Sequence, residues 1–188
     1  MKAEIRTISY RQHALPPELR AEQLRLHRQA WPDTDDAGHD PLLNPLTLVL
    51  VDGEKAIAVL DILSKEISHR GEHYAAAGLS AVVTDLACRG HGHGLELVRE
   101  ARRTMAELGN DLGIFTCDTE LAGFYRKAGW QLLPGTVLVG GTPEEPFPSD
   151  QFDKVTLGSL FTPHGRQHAA DFEHARIELY PGEIDRLW

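Results

Sequence analysis

The chain has 188 residues, 41% hydrophobic and 25% charged, which is ordinary for a globular protein and enough for one well-buried domain rather than two. A formal net charge of -9 excludes the broadly basic surface that nucleic acid or an anionic membrane requires. No stretch approaches the ~18 consecutive apolar residues of a membrane helix, and Met1–Arg6 lacks the apolar core of a signal peptide. Cys88 and Cys117 form neither a disulfide framework nor a metal spacing, so a reducing cytoplasm is the expected compartment.

In chain order, Ala3–Ser9 alternates and reads as an edge strand. Pro16-Pro17 opens a helix running to Trp31, since proline suits a first helical turn. Pro32–Pro45 is a loop rich in Asp, Gly and Pro. Thr47–Val51, the turn Asp52-Gly53 and Ala56–Leu63 make a β-hairpin. After His69-Arg70-Gly71 comes a long central strand, Glu72–Thr84. Gly94–Leu108 is helical, with Leu95, Val98, Met105 and Leu108 on one stripe, and Leu112–Cys117 is a buried strand. Glu120–Ala128 is a short helix capped by Asp118 or Thr119 and closed by Gly129. Strands follow around Leu132–Val139 and Lys154–Leu160, split by a loop over Gly140–Pro148, and Arg176–Tyr180 is a further strand candidate in an irregular C-terminal stretch. The pattern is a mixed α/β sheet with flanking helices, one domain over residues 1–188.

Chemistry concentrates between the central strand and the helix, in Arg89-Gly90-His91-Gly92-His93-Gly94. A strand running through a glycine loop into a helix leaves backbone N–H groups unpaired at the positive end of the helix dipole, which suits an anion. Glycine removes the Cβ atoms that hold a pyrophosphate away and permits positive φ. A Walker A loop is excluded because Leu95-Glu96 follows Gly94. A Rossmann fingerprint is excluded because the third glycine position holds Leu95. Arg89, Gly92 and Gly94 do satisfy Arg-x-x-Gly-x-Gly. Downstream lies Phe124-Tyr125-Arg126-Lys127-Ala128-Gly129-Trp130, with Tyr125 31 residues after Gly94.

These two segments, in this order and with a strand between them, resemble the GNAT family of N-acetyltransferases. The resemblance implies a single GNAT-like α/β domain whose mixed, mostly antiparallel sheet splays at its central strands between flanking helices. It implies acetyl-CoA as co-substrate and no metal, with the loop Arg89, Gly90, His91, Gly92, His93 and Gly94 gripping the coenzyme pyrophosphate. Val82, Val83 and Thr84 would meet the acetyl carbonyl and pantetheine arm through their backbone. Tyr125 would protonate the departing thiolate, and a phenol with pKa near ~10 matches a thiol of similar basicity.

The whole chain is most similar to the aminoglycoside 2'-N-acetyltransferase branch. The parallels are the acidic loop Asp33, Asp35, Asp36, His39 and Asp40, the Arg70-Gly71 turn, the Phe124-Tyr125 to Gly129-Trp130 segment, a late loop and a final Trp188. That branch binds a cationic acceptor with carboxylates from these regions, which implies substrate contacts at Asp35, Asp36, Asp153 and Trp188. Its base is a glutamate nine residues before the loop arginine, where this chain has Ser80. Asp118 is the candidate replacement, and equally a helix cap.

The arginines Arg89, Arg99, Arg102 and Arg103 offer a local positive site for phosphates within an acidic chain. His91 and His93 are spaced like a half metal site, but no second pair with ligand spacing is recognised, and no metal is expected. The expected activity is acetyl transfer from acetyl-CoA to the primary amine of a small, cationic acceptor, with an aminoglycoside as one acceptor of that class and a homodimer as one assembly. Acetylation of peptide or protein amines and non-catalytic acetyl-CoA binding are the alternatives.

Overall fold

Strand β2 (Leu46–Asp52) explains the layering of the molecule. Its Leu48 and Leu50 join one buried cluster and its Val49 and Val51 another, so both faces of the sheet are covered. The computed structural model describes residues 4–180 and 187–188. β1 (Ile5–Arg11) lies antiparallel at the edge of β2, followed by β3 (Lys55–His69) and β4 (Glu72–Thr84). Arg70 and Gly71 turn the β3–β4 hairpin with φ of 50° and 84°, the left-handed pair a two-residue hairpin turn requires. Helix α1 (Pro17–Ala30) lays Leu26 on Val49, Val51, Val59 and Val83. On the other face α2 (His93–Glu107) buries Leu97, Val98, Ala101 and Met105.

The remaining elements are β5 (Leu112–Asp118), α3 (Ala122–Lys127), β6 (Gln131–Leu132), β7 (Val137–Gly141), β8 (Pro146–Pro148), β9 (Lys154–Leu160), α4 (Pro163–Gln167) and β10 (Arg176–Glu178). The main sheet has the order β1-β2-β3-β4-β5-β9-β6, and β10-β7-β8 form a second, small sheet. Only β4–β5 in the main sheet is parallel, and its register consists of Ala76↔Leu112 and Ala77↔Gly113. Beyond Ala77 and Gly113 the two strands separate. A bulge contributes to the divergence: Leu60 faces both Ala81 and Val82, and Ala81 holds φ of 50°, a left-handed conformation costing a non-glycine residue roughly 1–2 kcal/mol. The mixed, mostly antiparallel α/β sheet splayed at its centre is thus present.

Several boundaries differ from expectation. The edge strand runs from Ile5 to Arg11 rather than from Ala3, which lies outside the described residues. β3 continues to His69 because its second half pairs with β4 along the whole hairpin. The α2 stripe includes Leu97 and Ala101 beside Val98 and Met105, with Leu95 partly buried against the same cluster. The helix ends at Glu107, and Leu108, its C-cap, is 48% exposed. The single strand expected near Leu132–Val139 is broken at Pro134-Gly135. Its first part joins the main sheet and its second the small one, while β8 occupies the end of the expected loop. Helix α4 has no counterpart in the sequence reading. Among the described residues, no helix is long and apolar enough to cross a membrane.

Candidate active site

The diverging arms of β4 and β5 enclose a cleft of about 640 Å³. Ser80, Ala81 and Val82 line one arm, Phe115 to Asp118 the other, and Tyr125 enters from α3. Trp31, Phe147, Phe152 and Trp188 also line the cleft, with the Phe147 and Phe152 rings 5.3 Å apart. Trp188 sits there because Gly78 has no side chain: a Cβ on Gly78 would lie 2.5 Å from the indole.

The glycine loop follows the end of β4, which lies two residues beyond the cleft-lining Val82. Gly90 and Gly92 have φ of 82° and 83° and face open space where their side chains would be. The first hydrogen bond of α2 runs from Glu96 N–H to the Gly92 carbonyl at 2.9 Å, so the N–H groups of His93, Gly94 and Leu95 have no intrahelical acceptor. Gly94 serves a different purpose: a Cβ would meet Thr84 Oγ1 at 2.6 Å, so glycine lets the helix start touch the end of β4. Arg89 Nε donates to the Thr84 carbonyl at 3.3 Å, and His91 Nδ1 lies 3.0 Å from the Arg89 carbonyl, which folds the loop on itself. The loop thus presents unpaired N–H groups and two side-chain-free glycines to open space. The helical arginines do not add to it. Arg99 donates to the Lys127 carbonyl, Arg102 to Ser159 Oγ, and Arg103 to Glu100, because side chains a full turn or more along the helix point to other neighbours.

Tyr125 is held by edge contacts from Phe115 and Phe124, each with ring centroids 5.0 Å away. Burial, with smaller contributions from Cys117 and Asp118, pushes its phenol well above the usual tyrosine range. It stays protonated at neutral pH, as a proton donor must.

On the other side of β4 lies a polar cavity of about 210 Å³ that shares Trp31, His39 and Ala81 with the cleft. Its floor is Asp61 of β3, only 2% exposed. Asp61 accepts from Thr47 Oγ1 at 2.6 Å and from Gln23 Nε2 at 3.1 Å, and its Oδ2 lies 3.1 Å from His39 Nε2. His27 of α1 lines the same cavity, and its Nε2 is buried with no hydrogen-bond partner. Burial pushes that imidazole below the usual histidine range and Asp61 offsets part of the shift. Asp61 and His27 escaped the sequence reading, since an Asp inside an apolar strand and a His inside an amphipathic helix carry no motif. A buried charge in a β-run, Val59-Leu60-Asp61-Ile62-Leu63, was the available signal.

Comparison with known proteins decides the family. Residues 13–133 match the model of the acetyltransferase (GNAT) domain. The chain belongs to the GNAT family. The GNAT fold is matched by solved structures of low sequence identity: Escherichia coli ElaA (TM-score 0.60, 16% identity, 82% of this chain and 99% of that one), an acyl-CoA N-acyltransferase from Pseudomonas aeruginosa (0.59, 16%, 84% and 100%) and a Bacillus subtilis acetyltransferase solved in complex with CoA (0.58, 14%, 85% and 100%). A search of curated protein sequences finds no match. The protein is a GNAT acyl-CoA N-acyltransferase.

Against that GNAT frame, the expected site residues separate into two groups. Tyr125, Ser80, Asp118, Val82 and Trp188 line the cleft, whereas the loop 89–94 does not line it and meets the end of β4 where Gly94 packs on Thr84. Val83 instead faces α1 and is buried against Leu26, so any contact it makes to a cleft ligand is through its backbone. Asp118 makes no cap bond and is paired with Lys154 Nζ at 2.8 Å, so both of its expected roles, free base and cap, are replaced by an ion pair. Asp35 accepts from the Ala37 N–H and Asp36 is paired with Arg20 at 3.5 Å, both beside the small cavity. Asp153 accepts from Thr119 Oγ1 at 2.7 Å and does not line the cleft, because the β9 start turns it outward. Among the described residues, Asp36 and Asp118 are ion-paired and Asp153 lies outside the cleft, so these three do not form a ring of free carboxylates there. Cys117 lines the cleft, but burial and Asp118 push its thiol up to about 11, so it is no thiolate at neutral pH. Finally, the sequence reading overlooked a second histidine pair with ligand spacing, His164 and His168, far from the glycine loop.

Proposed function

We propose that this GNAT protein transfers an acetyl group from acetyl-CoA directly to the primary amine of a small acceptor bearing an apolar or aromatic body. The observation that carries this reading is the pair of chemically opposite pockets meeting at the Ala81 bulge. One holds a protonated, buried phenol, and the other a buried carboxylate with two imidazoles. Amide formation needs both, because the thiolate must gain a proton and the ammonium must lose one.

In this reading the loop Arg89–Gly94 holds the coenzyme pyrophosphate through the N–H groups of His93, Gly94 and Leu95. The separated edges of β4 and β5 accommodate the pantetheine arm, and the CoA complex of the B. subtilis relative supports the choice of coenzyme. The acceptor ammonium approaches Asp61, and His27 Nε2 takes its proton, so the nitrogen lone pair attacks the thioester carbonyl. As the C–S bond breaks, Tyr125 gives its proton to the departing sulfur, and the second proton, which the nitrogen sheds as it becomes an amide, restores the phenol by way of solvent. Burial of the Cys117 thiol supports direct transfer over an acyl-enzyme formed at that cysteine.

The aromatic lining of Trp31, Phe147, Phe152 and Trp188 favours an acceptor with one amine on an apolar body over a polycationic one such as an aminoglycoside. Asp118 and Asp36 already have cationic partners. Thiol release from acetyl-CoA, measured against arylalkylamines, polyamines, aminoglycosides and peptides, tests the proposal. Turnover is expected to be highest with arylalkylamines. Preference for aminoglycosides would overturn the acceptor assignment, and no turnover with any amine despite coenzyme binding would leave a binding module.

A further inference from the structure

We infer that Glu72, His164 and His168 form a zinc-binding site, independent of the acyl-transfer site. One ligand atom from each residue lies within 4.8 Å of the others, and His164 Nε2 is 3.9 Å from Glu72 Oε2. Ligand atoms in a tetrahedral zinc site are roughly 3.3 Å apart for bonds of ~2.0–2.1 Å. Small side-chain rotations close the remaining gap, with His164 Nε2 giving up its 3.1 Å contact to the His73 carbonyl. Two imidazoles and a carboxylate are the donor set of a borderline divalent ion, and the partial exposure of Glu72 and His164 leaves a fourth position for water.

The scaffold already holds these side chains. His164 and His168 lie four residues apart across the single turn of α4, which puts them on one face. Thr162 caps that turn and donates to Asp111 Oδ1 at 2.6 Å, fixing α4 to the start of β5. His168 Nδ1 is 3.2 Å from Asp171 Oδ2, and Asp171 in turn accepts from Arg70 at 2.7 Å. A carboxylate on one imidazole nitrogen leaves the other directed to a metal and raises its basicity. The His164 ring stacks on Tyr74 with centroids 4.9 Å apart, and the Tyr74 hydroxyl is buried without a partner in the same cluster.

The placement defines what the ion does. Glu72 begins β4, eight residues or roughly 26 Å along the strand from Ser80. Zinc there does not reach the reacting atoms. It joins α4 to the tip of the β3–β4 hairpin, next to the place where β4 and β5 are still paired, and so acts on stability.

The test is a titration of the full chain, stripped with EDTA and desalted, with ZnCl2 by calorimetry and thermal unfolding, with MgCl2 in parallel. One zinc equivalent is expected, and at a hundredfold excess over Kd the Tm rises by about 5–10 °C. Magnesium gives no shift. The His164→Ala/His168→Ala variant loses zinc binding, Glu72→Gln weakens it at least tenfold, and Asp171→Asn weakens it about tenfold without removing a ligand. If the double variant does not fold, Glu72→Gln and Asp171→Asn carry the test. Zinc binding that is absent in the wild type, unchanged in these variants, or lost instead in His91→Ala/His93→Ala would overturn the site.

Discussion

Asp61 of β3 stands directly opposite Ser80 of β4 in the antiparallel register, so the two side chains share one face of the sheet. A carboxylate is therefore present beside the position where the sequence shows only a hydroxyl. It is displaced by one strand, buried, and backed by His39 at 3.1 Å. Under the proposed mechanism this carboxylate on β3 would serve where the sequence offers only Ser80.

If Tyr125 donates the proton to sulfur, Tyr125→Phe lowers kcat by about a hundredfold, in the range for loss of a general acid, and leaves the acetyl-CoA KM within about twofold. Acyl donors with more acidic thiols recover most of the rate. Steady-state kinetics with a thiol series checks this.

His27 gives the acceptor side a pH signature. Burial lowers its pKa and Asp61 raises it in part, while His39, Arg20, Asp35 and Asp36 line the same cavity. The acid limb of kcat therefore lies below the ordinary histidine value of ~6.5. Asp61→Asn removes the raising contribution and moves the limb further toward acid, while His27→Gln lowers kcat about a hundredfold. A pH–rate profile of the three proteins measures both.

Gly94→Ala puts a methyl group 2.6 Å from Thr84 Oγ1 and pushes the helix start away from β4. The acetyl-CoA KM is expected to rise about tenfold, equivalent to ~1.4 kcal/mol. Thr84→Ala in the same chain removes the opposing oxygen and restores most of the affinity. A double-mutant cycle distinguishes this packing conflict from simple loss of loop flexibility.

Asp85 makes the fold acid-sensitive. Burial alone would raise its pKa, but the Ala87 N–H, Arg25 and Lys55 outweigh that and hold it at about 2, below the ordinary 3.8. A depressed carboxylate stabilises the fold fully above its unfolded pKa, and that contribution disappears as pH falls from about 3.8 toward about 2. Asp85→Asn, which leaves the Arg25 guanidinium without its 2.8 Å partner, costs about 1–3 kcal/mol at pH 7 and flattens the acid limb of stability. Urea unfolding between pH 2 and 7 reads both effects.

Cys117→Ala is expected to retain more than half of wild-type turnover. Rapid mixing should show no acyl-enzyme burst in either protein, because the thiol is held near 11 by burial and Asp118.

Much of the fold was legible where local pattern and tertiary role coincide. Glu72–Thr84 forms β4 with the expected bounds, and the glycine loop leads into α2 as its spacing implies. The loop and Tyr125 were legible for the same reason, as both depend on short segments whose chemistry is local. Pro134-Gly135 shows where this ends: an apolar run looks continuous, yet its halves belong to different sheets. The cavity around Asp61 was illegible because it is assembled from α1, the 31–45 loop and β3. Asp61 meets Gln23 and His39 across 38 and 22 residues of sequence, and no periodicity encodes such a meeting. Likewise Asp118 looked like a cap or a base until β9 brought Lys154 beside it.

The brevity of the β4–β5 pairing has a mechanical meaning. With Ala76↔Leu112 and Ala77↔Gly113 as its register, the main sheet consists of two blades sharing a narrow hinge, and each blade presents an inner edge of backbone donors and acceptors. An extended, amide-bearing molecule laid between those edges serves as a temporary strand. Acyl-CoA would then complete the architecture as well as react within it. Amide exchange should slow on both inner edges at once when coenzyme is added, well away from the pyrophosphate loop.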